Sequence, residues 1–263
     1  MTNRAVQADL LEQRIAENRA SQTIDLPEWI FDRVQIGPSD RILELCCGTG
    51  GQTLPMLDRL GSEGRLWALD VSAEVLRLLR GKVNSPDLPK LTTIPANLDQ
   101  LSPVLESERL RRPAFDLVFC AYGLYYSQDA EKTLDEIRTW LKPHGRIVVV
   151  GPYGPNNKPL FDLMVAAGVE LSEAVTSSSG TFMLQTVVPW GAVNFGAVRI
   201  SSMVNPVRWA SAERVLNYWQ NTTFYDAQKR AGVEALLARH FRERSEFVNE
   251  KWVMMVEMQD ARA

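Results

Sequence analysis

Short continuous apolar runs alternate along the chain with longer stretches whose apolar residues recur every three or four positions, and the alternation predicts strands separated by helices. The runs Arg41–Cys46, Arg65–Asp70, Leu91–Pro95, Phe115–Cys120 and Arg146–Val150 predict five buried strands. Between them, helices are expected over Gln52–Leu60, where Pro55 falls in the first turn, after Ser72 with Val75, Leu76 and Leu79 inward, and over Asp129–Leu141 with Leu134, Ile137 and Leu141 on one face. Lys142-Pro143-His144-Gly145 predicts the turn before the fifth strand. Upstream, Leu10, Leu11 and Ile15 mark a helix that breaks at Asp25-Leu26-Pro27, and Trp29, Ile30 and Val34 begin another. Beyond Gly151 the pattern predicts a helix over Lys158–Leu171, a serine-rich break at Thr176–Gly180 that would act as a hinge or mobile loop, and a helix near Met183–Trp190. A strand near Gly196–Val204, helices over Ala210–Gln220 and Ala227–His240, and a last strand at Lys251–Glu257 complete the pattern. Strands that alternate with helices imply right-handed crossovers and a parallel sheet covered on both faces.

In such sheets ligands gather beyond the carboxyl ends of the strands, and the first strand ends in the sequence Glu44-Leu45-Cys46-Cys47-Gly48-Thr49-Gly50-Gly51. Glycines there let the backbone turn tightly and approach a ligand. Asp70 closes the second strand 22 residues after Gly48, close to the spacing at which an acid accepts hydrogen bonds from ribose hydroxyls, about 20 residues beyond the glycines. The turn departs from the dinucleotide fingerprint, because Thr53 occupies the last small-residue slot and Glu44 would repel a pyrophosphate. A ligand with a cationic end suits it better.

Ile42-Leu43-Glu44-Leu45-Cys46-Cys47-Gly48-Thr49-Gly50 resembles the first motif of the class I methyltransferases that use S-adenosylmethionine, with Cys46 standing where that family usually has its first glycine. Phe115-Asp116-Leu117-Val118-Phe119 and Leu141-Lys142-Pro143-His144-Gly145-Arg146-Ile147-Val148-Val149-Val150 are similar to the family's fourth and fifth strand motifs, so the resemblance covers Arg41 to Gly151. It implies a doubly wound, mostly parallel seven-stranded α/β sheet of Rossmann-like type whose last two strands form an antiparallel hairpin at the edge. The implied cofactor is S-adenosylmethionine, held by Glu44, Cys46, Gly48 and Gly50 at the turn and by Asp70 at the ribose, with Val71 packing on the adenine. Asn97 and Leu98 would meet the adenine edge, and Cys120 and Ala121 would border the methionine part. Cys46 in the glycine slot predicts either a slightly shifted methionine end or a backbone compatible with a Cβ.

Catalytic candidates are aromatic. Tyr122, Tyr125 and Tyr126 follow the fourth strand, where related enzymes carry aromatic or histidine side chains near the transferring methyl, and aromatic faces attract a sulfonium. Tyr153 after the fifth strand, and Tyr218, Trp219 and Tyr225 further on, either complete an aromatic pocket or serve helix packing. Of the two histidines, His144 falls at the sheet end opposite the ligand, and His240, at a helix end, is a base candidate only for a hydroxyl acceptor. Cys46, Cys47 and Cys120 have no neighbouring histidine or lysine to make a thiolate, and neither a disulfide framework nor metal-ligand spacing emerges, so no metal is expected.

Composition narrows the partners. The 263 residues are 45% hydrophobic with a formal charge of −3, enough for a substantial core and without the basic footprint of a nucleic-acid binder. Met1–Ala20 is polar and lacks a signal-peptide core, and no stretch is apolar enough to span a bilayer, so a soluble, cytoplasmic protein is expected. The expected organisation is N-terminal helices over 1–40 as a possible cofactor cover, a methyltransferase core over 41–204 and 245–263, and a helical insertion over 205–244 as a lid over the acceptor. The expected function is in-line methyl transfer to a small-molecule acceptor such as a natural product, sugar or lipid precursor. An RNA or protein methyltransferase, a non-catalytic cofactor-binding module and a nicotinamide-dependent oxidoreductase are the alternatives. No motif sets the oligomeric state.

Overall fold

A computed structural model describes residues 7–260; the outermost parts of the segments assigned to 1–40 and 245–263 lie outside the described residues. Seven strands, β1 (Arg41–Leu45), β2 (Arg65–Asp70), β3 (Leu91–Pro95), β4 (Phe115–Ala121), β5 (Leu141–Pro152), β6 (Ala197–Trp209) and β7 (Phe247–Gln259), form one sheet in the order β3-β2-β1-β4-β5-β7-β6. β1 pairs in parallel with β2 and β4, β2 with β3, and β4 with β5. This is the expected doubly wound sheet, and its order changes direction at β1 and β4, where the crevice for a ligand opens.

The helices are α1 (Ala8–Ser21), α2 (Leu26–Phe31), α3 (Thr53–Leu57), α4 (Ala73–Lys82), α5 (Leu101–Ser107), α6 (Ala130–Thr139), α7 (Lys158–Ala166), α8 (Glu173–Gly180), α9 (Val188–Asn194), α10 (Ala212–Gln220) and α11 (Arg230–Glu243). The chain divides into two compact units. A core unit holds Leu26–Gly151, Met183–Ser201 and the chain from Met254 onward; an accessory unit holds the N-terminal segment to Asp25, Pro152–Phe182 and Ser202–Val253.

In the core unit, the strand interiors are apolar because both faces are covered: Ile42, Leu43, Leu45, Leu117, Val118 and Phe119 have no exposed surface. Phe31 of α2 stacks on Phe119 with ring centroids 6.0 Å apart. Helix starts carry side-chain caps, Ser72 accepting from the Val75 amide and Asp129 from that of Lys132. Helix α5 has no counterpart in the sequence expectation; it exists to bury Leu101 and Leu105. Leu141 does not end a helix face: α6 stops at Thr139, and Leu141 opens β5 opposite Phe115. The turn expected at 142–145 is instead an irregularity inside β5, between the pairs Phe115–Leu141 and Leu117–Arg146, with His144 at φ 67°.

The accessory unit has its own apolar cluster, in which Leu160 and Met164 of α7 meet Trp209, Val215, Trp219, Val233 and Leu237. Helix α7 ends at Ala166, short of the expected Leu171, because Gly168 adopts φ 78° and the Gly168 and Val169 amides fold back onto Val165 and Met164. The expected break at Thr176–Gly180 is helical: Ser172 caps α8, and the serines continue it. Only Ser179 of α8 is buried, so this helix is held weakly by packing.

Candidate functional site

The carboxyl ends of β1, β2 and β4 gather the residues singled out in the sequence. Five described non-glycine residues have positive φ, and two of them, Cys46 (φ 54°) and Tyr122 (φ 57°), follow or end adjacent strands β1 and β4. Side chains in this region of backbone space are strained, and such strain collects at binding sites. Cys46 therefore takes a glycine-like conformation rather than one suited to a Cβ, which removes the second alternative stated for it. Gly48 (φ 55°) and Gly50 (φ 94°) continue the turn. At Gly50 a Cβ would stand 2.4 Å from Leu79 Cδ1, so α4 packs against the bare backbone there.

Two acids lie under the turn. Asp70 accepts the Gly48 amide on Oδ2 and the Ser72 amide on Oδ1, each at 3.0 Å. Burial raises its pKa despite those amides. An ionised carboxylate has about four acceptor sites, so the Gly48, Ser72 and Val71 amides leave acceptor capacity for a ribose hydroxyl. Glu44 is 2% exposed, and burial pushes its pKa up to about 8, with Asp70 adding to the rise and the Thr53 hydroxyl opposing it. That hydroxyl donates to Glu44 Oε2 at 2.6 Å. Thr53, which counts in the sequence only against a dinucleotide fingerprint, is thus the neutral partner of the acid. The signal was available as a hydroxyl one helical turn beyond the glycines, facing an acid at the strand end.

Val71, immediately after Asp70, is apolar and 48% exposed, a surface suited to a flat base. Asn97 uses its side chain to accept the Asp99 amide and Leu98 is buried beneath it, so Asn97 serves its own turn. Cys120 is buried, and Ala121 ends β4 half-buried. The Cys46 thiol is hydrogen-bonded to Cys120 and, with burial, its pKa is pushed well above the ordinary thiol value; burial does the same to Cys47. The upward shift favours the thiol over the thiolate at both, which is the opposite of what activates a cysteine nucleophile.

Tyr125 and Tyr126 lie half-buried in one turn after β4, rings 4.8 Å apart. The other aromatic candidates belong to the accessory unit. Tyr153 packs edge-on against Trp252 at 5.8 Å. Trp219 has no exposed surface, donates its indole N–H to Phe224 O and packs on Tyr225, which makes it a core residue. Tyr218 is buried against Trp209 and receives a hydrogen bond from Lys251 Nζ. His240 is bonded through Nε2 to Glu246 O and flanked by Phe241 and Phe247. No cluster able to hold a metal is found among the described residues, and no described helix is long and apolar enough to cross a membrane.

The residues fit the nucleoside and amino-acid ends of S-adenosylmethionine. Asp70, held by backbone amides, complements a diol, and Glu44, a buried acid that a nearby cation would ionise, complements the cationic end.

Comparison with known proteins agrees with the geometry. A family profile described as a methyltransferase domain matches residues 42–145. The chain is similar to 2-phytyl-1,4-naphtoquinone methyltransferase of Trichormus variabilis, 30% identical over 122 residues, 46% of this chain and 50% of that protein. It is also similar to demethylmenaquinone methyltransferase of Lactobacillus johnsonii, 29% identical over 133 residues, 51% of this chain and 52% of that protein. The chain spans about half the length of these curated relatives. Among solved structures, the YcgJ protein of Bacillus subtilis superposes with a TM-score of 0.64 at 13% identity over 90% of this chain and 98% of that one, which shows the shared fold.

Proposed function

We propose that this chain, whose residues 42–145 match a methyltransferase domain profile, transfers the methyl group of S-adenosylmethionine to a small, largely apolar acceptor. The observation that carries the proposal is the pair of buried acids at the ends of β1 and β2, Glu44 and Asp70, below a turn in left-handed backbone conformation. The curated relatives are named for a 2-phytyl-1,4-naphthoquinone and for demethylmenaquinone, which favours a small quinone-like acceptor over a folded macromolecule.

S-adenosylmethionine supplies a methyl on a sulfonium that is already a good leaving group. The chain's residues then have three tasks. Asp70 holds the ribose through the acceptor capacity that the Gly48, Ser72 and Val71 amides leave. Val71 presents an apolar face to the adenine, and Glu44 places negative charge near the cationic end of the cofactor. The aromatic turn Tyr122–Tyr126 borders the methyl position, where ring faces attract the sulfonium and keep water out. Alignment of acceptor and methyl supplies on the order of 7 to 11 kcal/mol in the best intramolecular comparisons, so a nucleophilic acceptor needs no dedicated base.

Calorimetry tests this directly. The full chain is expected to bind S-adenosylmethionine and not NAD. Each hydrogen bond to a charged group is worth about 1.5 to 3 kcal/mol, so Asp70→Ala is expected to weaken binding at least about a hundredfold. Unchanged affinity in that variant would reject the ribose assignment, and uptake of NAD in place of S-adenosylmethionine would reject the function.

A further inference from the structure

The accessory unit contains a cavity of about 500 Å³ between α7 and α8, beginning at Gly154 just beyond the end of β5. We propose that it binds a neutral, apolar molecule bearing a carbonyl group.

Size and lining set the class. Pockets for small organic ligands span about 300 to 1,000 Å³ and are mostly apolar with a few placed polar groups. Here Pro155, Phe161, Val165 and Leu171 supply the apolar wall. Val165, in the last turn of α7, is an apolar residue left 57% exposed. Charge is absent in net terms: Lys158 Nζ bonds both oxygens of Asp162 at 2.8 Å, so the rim's two charges cancel and offer nothing to an ionic ligand.

The polar group is Asn156, 7% exposed on the cavity wall. Its Oδ1 accepts the Trp252 amide at 3.1 Å, and its Nδ2 donates to Ser179 Oγ at 2.7 Å. A primary amide has two N–H groups, so one donor remains, and a carbonyl oxygen is its neutral complement. The loop that presents it is preorganised: Asn157 holds φ 61° while its Oδ1 accepts from Lys251 Nζ at 2.7 Å and Asn249 Nδ2 at 2.8 Å. The opposite wall, α8, is joined to that loop by the Asn156–Ser179 bond and by the Gly154 amide donating to Gly180 O at 2.8 Å, with little apolar burial of its own. A ligand entering between the helices can therefore shift α8 without opening a packed core.

The test uses the full chain without S-adenosylmethionine and three probes of one size: 2-acetylnaphthalene, 2-ethylnaphthalene and 2-naphthoate. Calorimetry is expected to show the ketone binding about fivefold tighter than the hydrocarbon, the value of one hydrogen bond, and the carboxylate binding weakest. Val165→Trp, at an exposed position the fold tolerates, is expected to abolish binding of all three. Asn156→Asp, which keeps the acceptor for Trp252, is expected to erase the ketone's advantage and leave the hydrocarbon's affinity in place. S-adenosylmethionine affinity is expected to stay unchanged in both variants. Failure of the ketone to bind wild type, or equal binding to Val165→Trp, overturns the cavity assignment. If the ketone binds as expected while S-adenosylmethionine does not bind at all, the cavity stands and the methyl-transfer reading falls.

Discussion

Gly123→Ala is expected to destabilise the chain by about 3 kcal/mol or more, the upper range for overpacking a closed site, and Cys46→Gly in the same chain is expected to restore most of that loss. A Cβ on Gly123 would stand 2.2 Å from Cys46 Cβ and 2.6 Å from its Sγ, with Cys120 Sγ at 3.4 Å. A Cβ cannot swing aside as the end of a long side chain does, so either the turn after β1 or the turn after β4 must move. Both carry the proposed cofactor site. Cys46→Gly removes the two clashing atoms together and relieves a left-handed backbone, which costs an L-residue roughly 1 to 2 kcal/mol. Alone, it is expected to change stability by no more than about 1 kcal/mol, because that relief offsets the lost thiol packing and the greater freedom of glycine in the unfolded chain. Its affinity for S-adenosylmethionine is expected to be retained or raised. Denaturant midpoints of the wild type, the two single variants and the double variant form a cycle that isolates the coupling. A double variant no more stable than Gly123→Ala would show that the obstruction lies elsewhere than Cys46.

That pair also marks where the sequence stopped being legible. The strands of the core unit could be read because they are short, apolar and set between capped helices, and the ends of β1 and β2 followed at once as the place for a ligand. Glu44, Gly48, Gly50 and Asp70 stand where that logic puts them. Gly123 was invisible because its necessity comes from Cys46, 77 positions earlier, and only a tertiary contact expresses it. Likewise the serines of 176–180 carry turn propensity, but Ser172 as a cap and the bonds of Ser179 and Gly180 to the loop at 154–156 overrule it. The aromatic residues of 218–225 were ambiguous for a different reason: helical spacing puts the same residues on a packed face or a pocket wall, and Trp219 is wholly buried.

The acid in β1 gives the other large effect. Glu44 has a pKa of about 8 in the folded chain against an ordinary 4.5. Between those values the folded chain holds a proton that the unfolded chain has released, so stability falls as pH rises through that window and levels off above it. The full loss is on the order of 5 kcal/mol at 1.36 kcal/mol per pKa unit. Glu44→Gln cannot ionise, and its amide oxygen can still accept from Thr53. It is expected to match the wild type near pH 5 and to exceed it by a few kcal/mol above pH 8, read as denaturant midpoints across that range. Cofactor binding is expected to move the opposite way. A cation near Glu44 favours the carboxylate, so binding to the wild type releases a proton below pH 8 and tightens as pH rises toward 8, whereas the Gln variant binds more weakly and loses this part of the pH dependence. Calorimetry in buffers of different ionisation enthalpy counts that proton. Parallel stability profiles for the two proteins would mean that Glu44 is charged at neutral pH in the free chain. Equal affinity and equal proton release would mean that the cationic end of the cofactor lies away from β1, and Asp70 alone would then remain to select the ligand.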